Sequence, residues 1–420
     1  MIKKIIFILP NIYEIVNGVS TKYIKFINYL TKSYEVILFT TFNKIIESSL
    51  LEQNNLKIIK TNGLNVPFYK EIKIPIIKYK DIESHITKGN EIIIFNGEFI
   101  WIYDSLIKLK KQHDNIKIYP TMHTDYVYYA NQIYSLSKFT TTLNYLDYYL
   151  EKKKFSGIIV TGDKMKEKYM NCTNSIFNAN EINLEIFNNH KIDNYDLDNA
   201  PINFIYTGRV SKEKNIEEIF LYINYLETIL QEKYKKFDFI INIIGSGPYL
   251  DNLKTIIELQ YKNIYSKVVF HGNKEQSEIN QLYQTLDNRI FIFTSLSETF
   301  GKTPMEACAT GIPIFIKNCD NAEYLYKNKK NAFIFNDNDD FIELFEYFIK
   351  MKSFEKQIFI SESINNVKKF DQTLIFGDWL NFLINGIINK KNNNQINLMN
   401  IFTFHGISNL INCSGTILGD

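Results

Sequence analysis

The sequence has few of the residues that stabilise small secreted domains or structural metal sites. Its four cysteines form no C-x-x-C pair and do not cluster with histidine: Cys172, Cys308, Cys319 and Cys413. A disulfide framework or a zinc site is therefore not expected, and a reducing compartment fits this cysteine usage. Glycine (17) and proline (8) are also scarce among the 420 residues, so the position of each one carries information.

The sequence also lacks a strong charge of one sign and long apolar runs. Its 48 basic and 46 acidic residues give a net charge of +2, which argues against a nucleic-acid partner. No apolar run reaches the length of a membrane span. The first run, IIFIL, is too short for a signal-peptide core and ends at Pro10 without a small-residue cleavage site, so we interpret it as a strand. The expected location is the cytoplasm, with at most peripheral association with a membrane surface.

Short apolar runs that end in turn residues are what the chain has in abundance, for example KIIFIL, EVILFT, EIIIFN, NFIYTG, DFIINIIG and RIFIFT. They are continuous rather than alternating, which is typical of strands buried on both faces of a parallel sheet. Stretches of helical period lie between them, so the predicted fold is doubly wound α/β. A chain of this length favours two domains over one core.

The boundaries follow from where this pattern breaks. The polar stretch before strand NFIYTG lacks apolar periodicity and is predicted to be a linker, and KKNNNQ begins a low-complexity tail. The predicted segments are a first domain (1–190), the linker (191–202), a second domain (203–368), a C-terminal helix packing back on the first domain (369–390) and an unassigned tail (391–420).

Ligands of open α/β sheets bind beyond the carboxyl ends of the strands, so function is expected in the turns that follow the apolar runs. In FIYTGRVSKEKNIEEIF, Gly208 makes the turn and the loop carries Arg209 and Lys214. Asn215 is predicted to cap the next helix, with Glu218 completing a capping box. Two cations beside a helix start suit a phosphate or diphosphate, and an ordinary solvated loop is the alternative.

A second turn, IIGSGPYLDNL, places Gly245 and Gly247 between a strand and a helix. It lacks the third glycine of a dinucleotide-binding fingerprint. Two interpretations stay open for this turn: tight turning of the chain, or close approach of the backbone to a ligand phosphate.

A third turn is SLSETFGKTPMEACATGIP, in which two glutamates flank a predicted helix start. Thr303 is predicted to be the N-cap and Pro304 the first helical residue, so Glu306 is in the position of a capping-box carboxylate. Glu298 is either a solvated loop carboxylate or a ligand-binding one. Free N–H groups at a helix start favour an anion, and carboxylates accept hydrogen bonds from vicinal hydroxyls. A nucleotide sugar, which runs polyol, diphosphate, polyol, fits this combination.

Together these motifs resemble the retaining GT-B-type glycosyltransferases of family four, also called glycosyl transferases group 1. SLSETFGKTPMEACATGIPI resembles their Glu-x7-Glu segment, TGRVSKEKNI their Gly-Arg…Glu-Lys loop and IIGSGPYLDNL their Gly-x-Gly-Pro turn. NIYEIVNGVSTKYIKFINYL resembles their Asn-Gly-Val loop and first helix, and PTMHTDYVYY a strand-end His motif. The resemblance covers roughly residues 1–390. It implies two Rossmann-like domains that face each other across a cleft, an acceptor-side first domain and a nucleotide-sugar-binding second one.

The resemblance also implies roles for individual residues. Catalytic roles fall on His123 near the reacting centre, on Arg209 and Lys214 at the leaving diphosphate, and on Glu298 at the donor hexose. The donor-binding residues it implies are Gly18, Gly208, Gly245, Gly247, Phe300, Gly301, Lys302, Thr303 and Glu306. Among these Glu306 is expected to bind the ribose. No metal or other cofactor is expected.

The implied reaction moves a hexose from a nucleoside-diphosphate sugar to a glycan or to a membrane lipid such as a diacylglycerol. Basic, aromatic segments of the first domain (KYIKFINYL, IWIYDSLIKLKK and residues 128–155) could lie on anionic lipid, or their aromatics could be core. The chain departs from the family where an Asn-Gly-Val-Asp turn reads NEIN, Asn180 to Asn183. A nucleotide-sugar epimerase of the same fold and a non-catalytic sugar-nucleotide-binding relic are the alternative functions.

Overall fold

The structure is a computed structural model. It describes residues 4–14, 18–42, 55–66, 69–97, 102–123, 155–170, 175–193, 195, 200–233, 237–319 and 322–386. All structural statements below concern these residues.

The first domain is built on a parallel sheet of seven strands in the order β3-β2-β1-β6-β7-β8-β9. These strands are β1 (Lys4–Ile8), β2 (Glu35–Thr40), β3 (Leu56–Lys60), β6 (Ile92–Asn96), β7 (Lys117–Met122), β8 (Ile158–Val160) and β9 (Ile176–Asn178). A small antiparallel pair, β4 (Gly63–Val66) and β5 (Tyr69–Pro75), lies beside it. The helices are α1 (Gly18–Leu30), α2 (Tyr79–Glu83), α3 (Tyr103–Gln112) and α4 (Asp163–Tyr169).

The second domain is built on a parallel sheet of six strands in the order β12-β11-β10-β13-β14-β15. These strands are β10 (Ile202–Thr207), β11 (Phe239–Ile244), β12 (Val268–Gly272), β13 (Arg289–Phe293), β14 (Ile314–Lys317) and β15 (Phe333–Phe335). Its helices are α5 (Glu217–Lys233), α6 (Leu250–Gln260), α7 (Lys262–Tyr265), α8 (Gln276–Thr285), α9 (Lys302–Ala309), α10 (Ala322–Leu325), α11 (Asn338–Lys350) and α12 (Ser353–Lys368). A 3-10 turn, Lys212–Lys214, precedes α5.

The apolar runs form these strands because helices cover both faces of each sheet. Alternate residues of β1 belong to different cores: Ile6 and Ile8 pack on one side, Ile5 and Phe7 on the other. A strand buried in this way must be apolar at every position, which is the pattern seen in the sequence. The predicted doubly wound α/β fold with two parallel sheets is confirmed.

The last helix, α13 (Gln372–Asn385), packs on the first sheet. Asp371 caps it by accepting hydrogen bonds from the backbone N–H groups of Thr373 and Leu374. Its Trp379 stacks on Phe26 of α1 with ring centroids 3.8 Å apart. The chain therefore passes between the domains twice, before β10 and before α13. The two crossings touch, because Ile182 exchanges backbone hydrogen bonds with residues 370 and 372.

The aromatic residues Tyr23 and Phe26 of α1 and Tyr103 of α3 lie in the core of the first domain, and Tyr29 of α1 packs against that core partly buried. For these two helices the interpretation as core is correct. Residues 128–154 lie outside the described residues. Within the described part of the chain, no helix combines the length and the hydrophobicity that crossing a bilayer requires.

Candidate active site

A cavity of about 230 Å³ lies between the two domains, at the carboxyl ends of β7 and β13. It is lined by Gly18, Val19, Lys22, His123, Thr161, Ala179, Asn180, Glu181, Glu298, Thr299, Phe300, Gly301 and Lys302. Six of the residues implied by the resemblance are among them: Gly18, His123, Glu298, Phe300, Gly301 and Lys302. Lys214 reaches the same place by pairing with Glu298. Arg209, Gly208, Gly245, Gly247, Thr303 and Glu306 are not part of the lining.

The loop after β13 is held in place by the 3-10 turn before α5. The hydroxyl of Thr294 donates to the backbone oxygen of Asn215 (2.9 Å), and the N–H of Leu296 donates to the oxygen of Glu213 (3.0 Å). This docking brings the ammonium of Lys214 to 2.5 Å from Glu298 Oε2. Both side chains are partly buried, so water screens the pair less than it would screen a surface pair.

The start of α9 differs from the prediction. The helix begins at Lys302, and the residue before it, Gly301, has φ +70° and offers no side-chain cap. Thr303 therefore lies inside the first turn and is not the N-cap, and the capping box predicted with Glu306 is wrong. The reason is the left-handed conformation of Gly301, which starts the helix two residues early and which other residues rarely adopt.

Glu306 points away from its own helix start. Its Oε1 accepts a hydrogen bond from the side-chain amide of Gln276 on α8 (2.7 Å), and Gln276 in turn accepts one from Lys25 of the first domain (2.7 Å). Only 3% of Glu306 is exposed, and burial raises its pKa to about 7, against the lowering effects of Lys302 and of the bond from Gln276. The carboxyl group is thus linked by hydrogen bonds to the opposite side of the cleft.

The start of α5 also differs from the prediction. The helix begins at Glu217, and Asn215 follows the 3-10 turn in a left-handed conformation (φ +51°), so the predicted capping box of Asn215 and Glu218 is wrong. Glu218 accepts hydrogen bonds from the side chains of Lys317 (2.5 Å) and Tyr222 (2.8 Å), and its side chain also hydrogen-bonds with that of Asn215.

The glycines of the second turn permit two loops to pack against each other. A Cβ added to Gly245 would lie 1.9 Å from the backbone oxygen of Gly208, and one added to Gly247 would lie 2.2 Å from that of Val210. Gly245 also has φ +134°. Packing of the chain on itself accounts for both glycines, so the interpretation as a tight turn is favoured here. By contrast, a Cβ on Gly18 would meet no described atom within 4 Å, and Gly18 lines the cavity.

His123 lies on the first-domain side of the cavity and is 6% exposed. Its Nε2 shares a hydrogen bond of 2.7 Å with the hydroxyl of Tyr23. Burial, with a smaller contribution from Lys22, holds the pKa of His123 well below its usual value. The imidazole is therefore neutral at physiological pH and can act only as a hydrogen-bonding group or a base.

Two charged residues of the cavity were missed by the sequence analysis as site residues. Lys22 lies on the buried face of α1, in register with Phe26 and Leu30 at a spacing of four residues. A lysine in an apolar stripe was the signal for it. Glu181 lies in the crossover between the domains, and the ammonium of Lys302 is 2.8 Å from its Oε1. Its only signal was the departure of NEIN from the family pattern.

Residues 188–363 match the family described as glycosyl transferases group 1. This segment is a glycosyl transferases group 1 domain. It contains β10 to β15 and the loops that carry Arg209, Lys214, Glu298 and Glu306, so the resemblance noted in these motifs is confirmed.

The glycosyl transferases group 1 domain and the segment before it are also similar to known proteins. The chain is 21% identical over 355 residues to the sulfoquinovosyl transferase SQD2 of Arabidopsis thaliana, a match that covers 80% of this chain and 64% of that protein. It is 34% identical over 107 residues to an alpha-monoglucosyldiacylglycerol synthase of Streptococcus pneumoniae, which covers 26% of this chain and 22% of that protein. The chain thus spans less than two thirds of these relatives.

Among solved structures, HepE of Anabaena in complex with UDP and glucose superposes with a TM-score of 0.63, over 91% of this chain and 99% of that one, at 13% sequence identity. This likeness establishes the fold. The two Rossmann-like domains and the cleft between them are those of GT-B glycosyltransferases.

Proposed function

We propose that this protein is a retaining, metal-independent glycosyltransferase that moves a hexose from a nucleoside-diphosphate sugar to a glycan or a membrane lipid. One observation carries the proposal. The paired side chains of Lys214 and Glu298 stand at the cavity between the domains, opposite Gly18 and His123. The glycosyl transferases group 1 domain supplies the first pair, and the first domain supplies the second.

The donor would lie along the edge of the second sheet. Glu298 and the backbone N–H groups of Phe300 and Gly301 would hold the hexose hydroxyls, since a carboxylate is an acceptor for vicinal hydroxyls. Glu306 would bind the ribose in exchange for its hydrogen bond from Gln276.

Departure of the nucleoside diphosphate requires stabilisation of developing negative charge. Lys214 is already fixed by Glu298 and by the docked loops, so it needs little reorganisation to meet a phosphate. Arg209 is exposed and outside the cavity lining, and we expect it to turn toward the diphosphate when donor binds. These cations and the start of α9 would supply the charge that a metal supplies in other transferases.

The acceptor would enter from the first domain, beside the neutral imidazole of His123. We propose front-face attack assisted by the leaving phosphate. The cavity lining contains two carboxylates, Glu298, which is paired with Lys214, and Glu181, which is paired with Lys302. Neither is an obvious covalent nucleophile. Retention of configuration would follow from attack on the face that the diphosphate leaves.

A lipid acceptor is supported by the names of the relatives, which include two alpha-monoglucosyldiacylglycerol synthases. Peripheral association with membranes would accompany it. Flotation with anionic liposomes at low and high salt tests this part: recovery in the lipid fraction at low salt and loss at high salt is expected. Absence from the lipid fraction in both conditions would contradict a lipid-surface acceptor.

The donor is tested by thermal-shift measurements with UDP-, GDP- and ADP-sugars, followed by release of the nucleoside diphosphate in the presence of diacylglycerol vesicles or oligosaccharides. A ligand of the folded state raises the melting temperature, so one nucleotide series should stand out. Acceptor-dependent release supports the transferase. An altered hexose without any acceptor would indicate the epimerase, and binding without turnover would indicate the relic.

A further inference from the structure

Lys22 is a buried cation with few hydrogen-bond acceptors. It is 5% exposed, and within the described part of the chain its Nζ makes one hydrogen bond, a long one of 3.4 Å to the backbone oxygen of Ala179. The rings of Tyr23 and Trp379 lie 6.0 Å from it. An ammonium group has three N–H donors, and burying a cation without acceptors is costly. The fold must therefore have a reason to keep a lysine here.

The neighbouring charges compensate Lys22 only in part. Glu181, 2% exposed, is paired with Lys302 through Oε1. Its other oxygen has no hydrogen-bond partner among the described residues. Between Lys22 and Glu181 there is no ion pair in the described structure, although the carboxylate acts on Lys22 at longer range. Two lysines thus stand around Glu181, and all three side chains line the cavity together with Glu298.

We propose that Lys22 and Lys302 form an anion subsite, which accepts an acidic group that one of the substrates carries beside the reacting carbon. The inference rests on the proposed function and names its substrate class: a sugar or an acceptor that bears a carboxylate, sulfonate or phosphate in addition to the donor diphosphate. Such a group supplies hydrogen-bond acceptors to the N–H donors of Lys22 that have none among the described residues.

Two further features agree with this assignment. Lys302 is the first residue of α9, so the N–H groups at the helix start face the same cavity and favour an anion. Burial lowers the pKa of Lys22 to about 7, so an anion at this point would restore the charged form of the lysine.

The subsite is tested by calorimetric titration with pairs of ligands that differ in one acidic group. UDP-glucose and UDP-glucuronate, with GDP-mannose and GDP-mannuronate, test an acidic sugar. Glycerol and glycerol 3-phosphate, titrated with and without saturating UDP or GDP, test an acidic acceptor. Each ligand is titrated into the full-length chain, into Lys22→Met and into Lys32→Met, a control at an exposed lysine of the segment after α1.

In one of the two arms the wild type and Lys32→Met should bind the acidic member at least about tenfold tighter than the neutral one, the gain expected from a charged hydrogen bond. Lys22→Met should lose that preference and keep its affinity for the neutral member. Glu181→Gln should strengthen binding of the acidic member severalfold, because it removes the negative charge of the cluster. Damage to the fold cannot produce a gain of this kind.

The arm that responds identifies which substrate carries the acid. If neutral nucleotide sugars bind but acidic ones gain nothing in either arm, or if the preference survives in Lys22→Met, the subsite is wrong and the transferase proposal stands. If no nucleotide sugar binds at all, both proposals fall.

Discussion

The two faces of the cleft treat charge differently. On the second-domain face each charged side chain already has a partner: Lys214 holds Glu298, and Gln276 holds Glu306. On the first-domain face Lys22 is buried and makes one long hydrogen bond to the residues that the structure describes, and burial keeps His123 neutral. A face with internal partners is organised before a ligand arrives, whereas an uncompensated face depends on the ligand to complete it.

The largest effect is expected from breaking the organised face. Lys214→Ala and Glu298→Ala should each lower donor turnover by at least about a hundredfold, the usual cost of losing a charge contact in the transition state. Steady-state release of the nucleoside diphosphate measures this.

Lys317→Ala is the matched control for Lys214→Ala. Lys317 is also 2.5 Å from a carboxylate, Glu218, and is similarly buried, but it does not line the cavity. Its turnover should stay within about threefold of the wild type, since isolated pairs of this kind contribute little. Equal losses in both variants would mean that Lys214 acts only on stability.

A smaller effect is expected from the loops that position this face. Gly247→Ala should lower the free energy of unfolding by about 2 kcal/mol, because its Cβ would lie 2.2 Å from the backbone oxygen of Val210. Gly377→Ala is the control, since it lies within α13 with no described atom closer than 4.0 Å, and alanine favours helix there by about 0.5–1 kcal/mol. Chemical denaturation measures both, and a neutral Gly247→Ala would contradict the close packing of the two loops.

Glu306 is expected to make stability depend on pH. Burial raises its folded pKa from 4.5 to about 7, so the folded state holds a proton that the unfolded state has lost between these values. Stability is therefore greatest below pH 4.5 as far as this group is concerned, and it falls by about 3 kcal/mol as the pH rises to 7.

Glu306→Gln resembles the protonated carboxyl and should lose this component of the pH dependence. Denaturant unfolding of both proteins at pH 5 and pH 7.5 measures the difference. The variant should be the more stable of the two proteins at pH 7.5. If the free energies of unfolding of the two proteins change equally between the two pH values, the raised pKa of Glu306 is contradicted.

The smallest effect is expected for the hydrogen bond between the two faces. Lys25→Met removes the bond to Gln276 and should cost about 0.5–1 kcal/mol at most, since the bond is only partly buried. The useful readout is donor affinity: an unchanged or slightly tighter Kd is expected, because Gln276 is then freer to release Glu306. A tenfold weaker Kd would place Lys25 in the donor site.

The sequence was sufficient for the sheets and for one face of the site. Strands covered on both sides must be apolar throughout, and this requirement is visible in single runs such as KIIFIL. The Glu-x7-Glu segment and the Gly-Arg…Glu-Lys loop carry their residues within short stretches, so their pattern can be read without a structure. The structure brings Lys214 and Glu298 together although 84 residues separate them.

Two residues of the other face, Lys22 and Glu181, could not be predicted because they become neighbours of the remaining site residues only through the tertiary fold. Lys22 comes from α1, Glu181 from the crossover and Lys302 from α9, and nothing local relates them. The predicted starts of α9 and α5 were wrong for a different reason. A left-handed residue, Gly301 or Asn215, begins the turn before each helix, and capping patterns do not register that conformation.

The most direct test of the account is a crystal structure of the protein with the nucleoside-diphosphate sugar that gives the largest thermal shift. The account predicts the hexose between Glu298 and His123, with the diphosphate against Lys214 and the start of α9. A donor bound elsewhere, or a hexose turned away from Glu298, would contradict it.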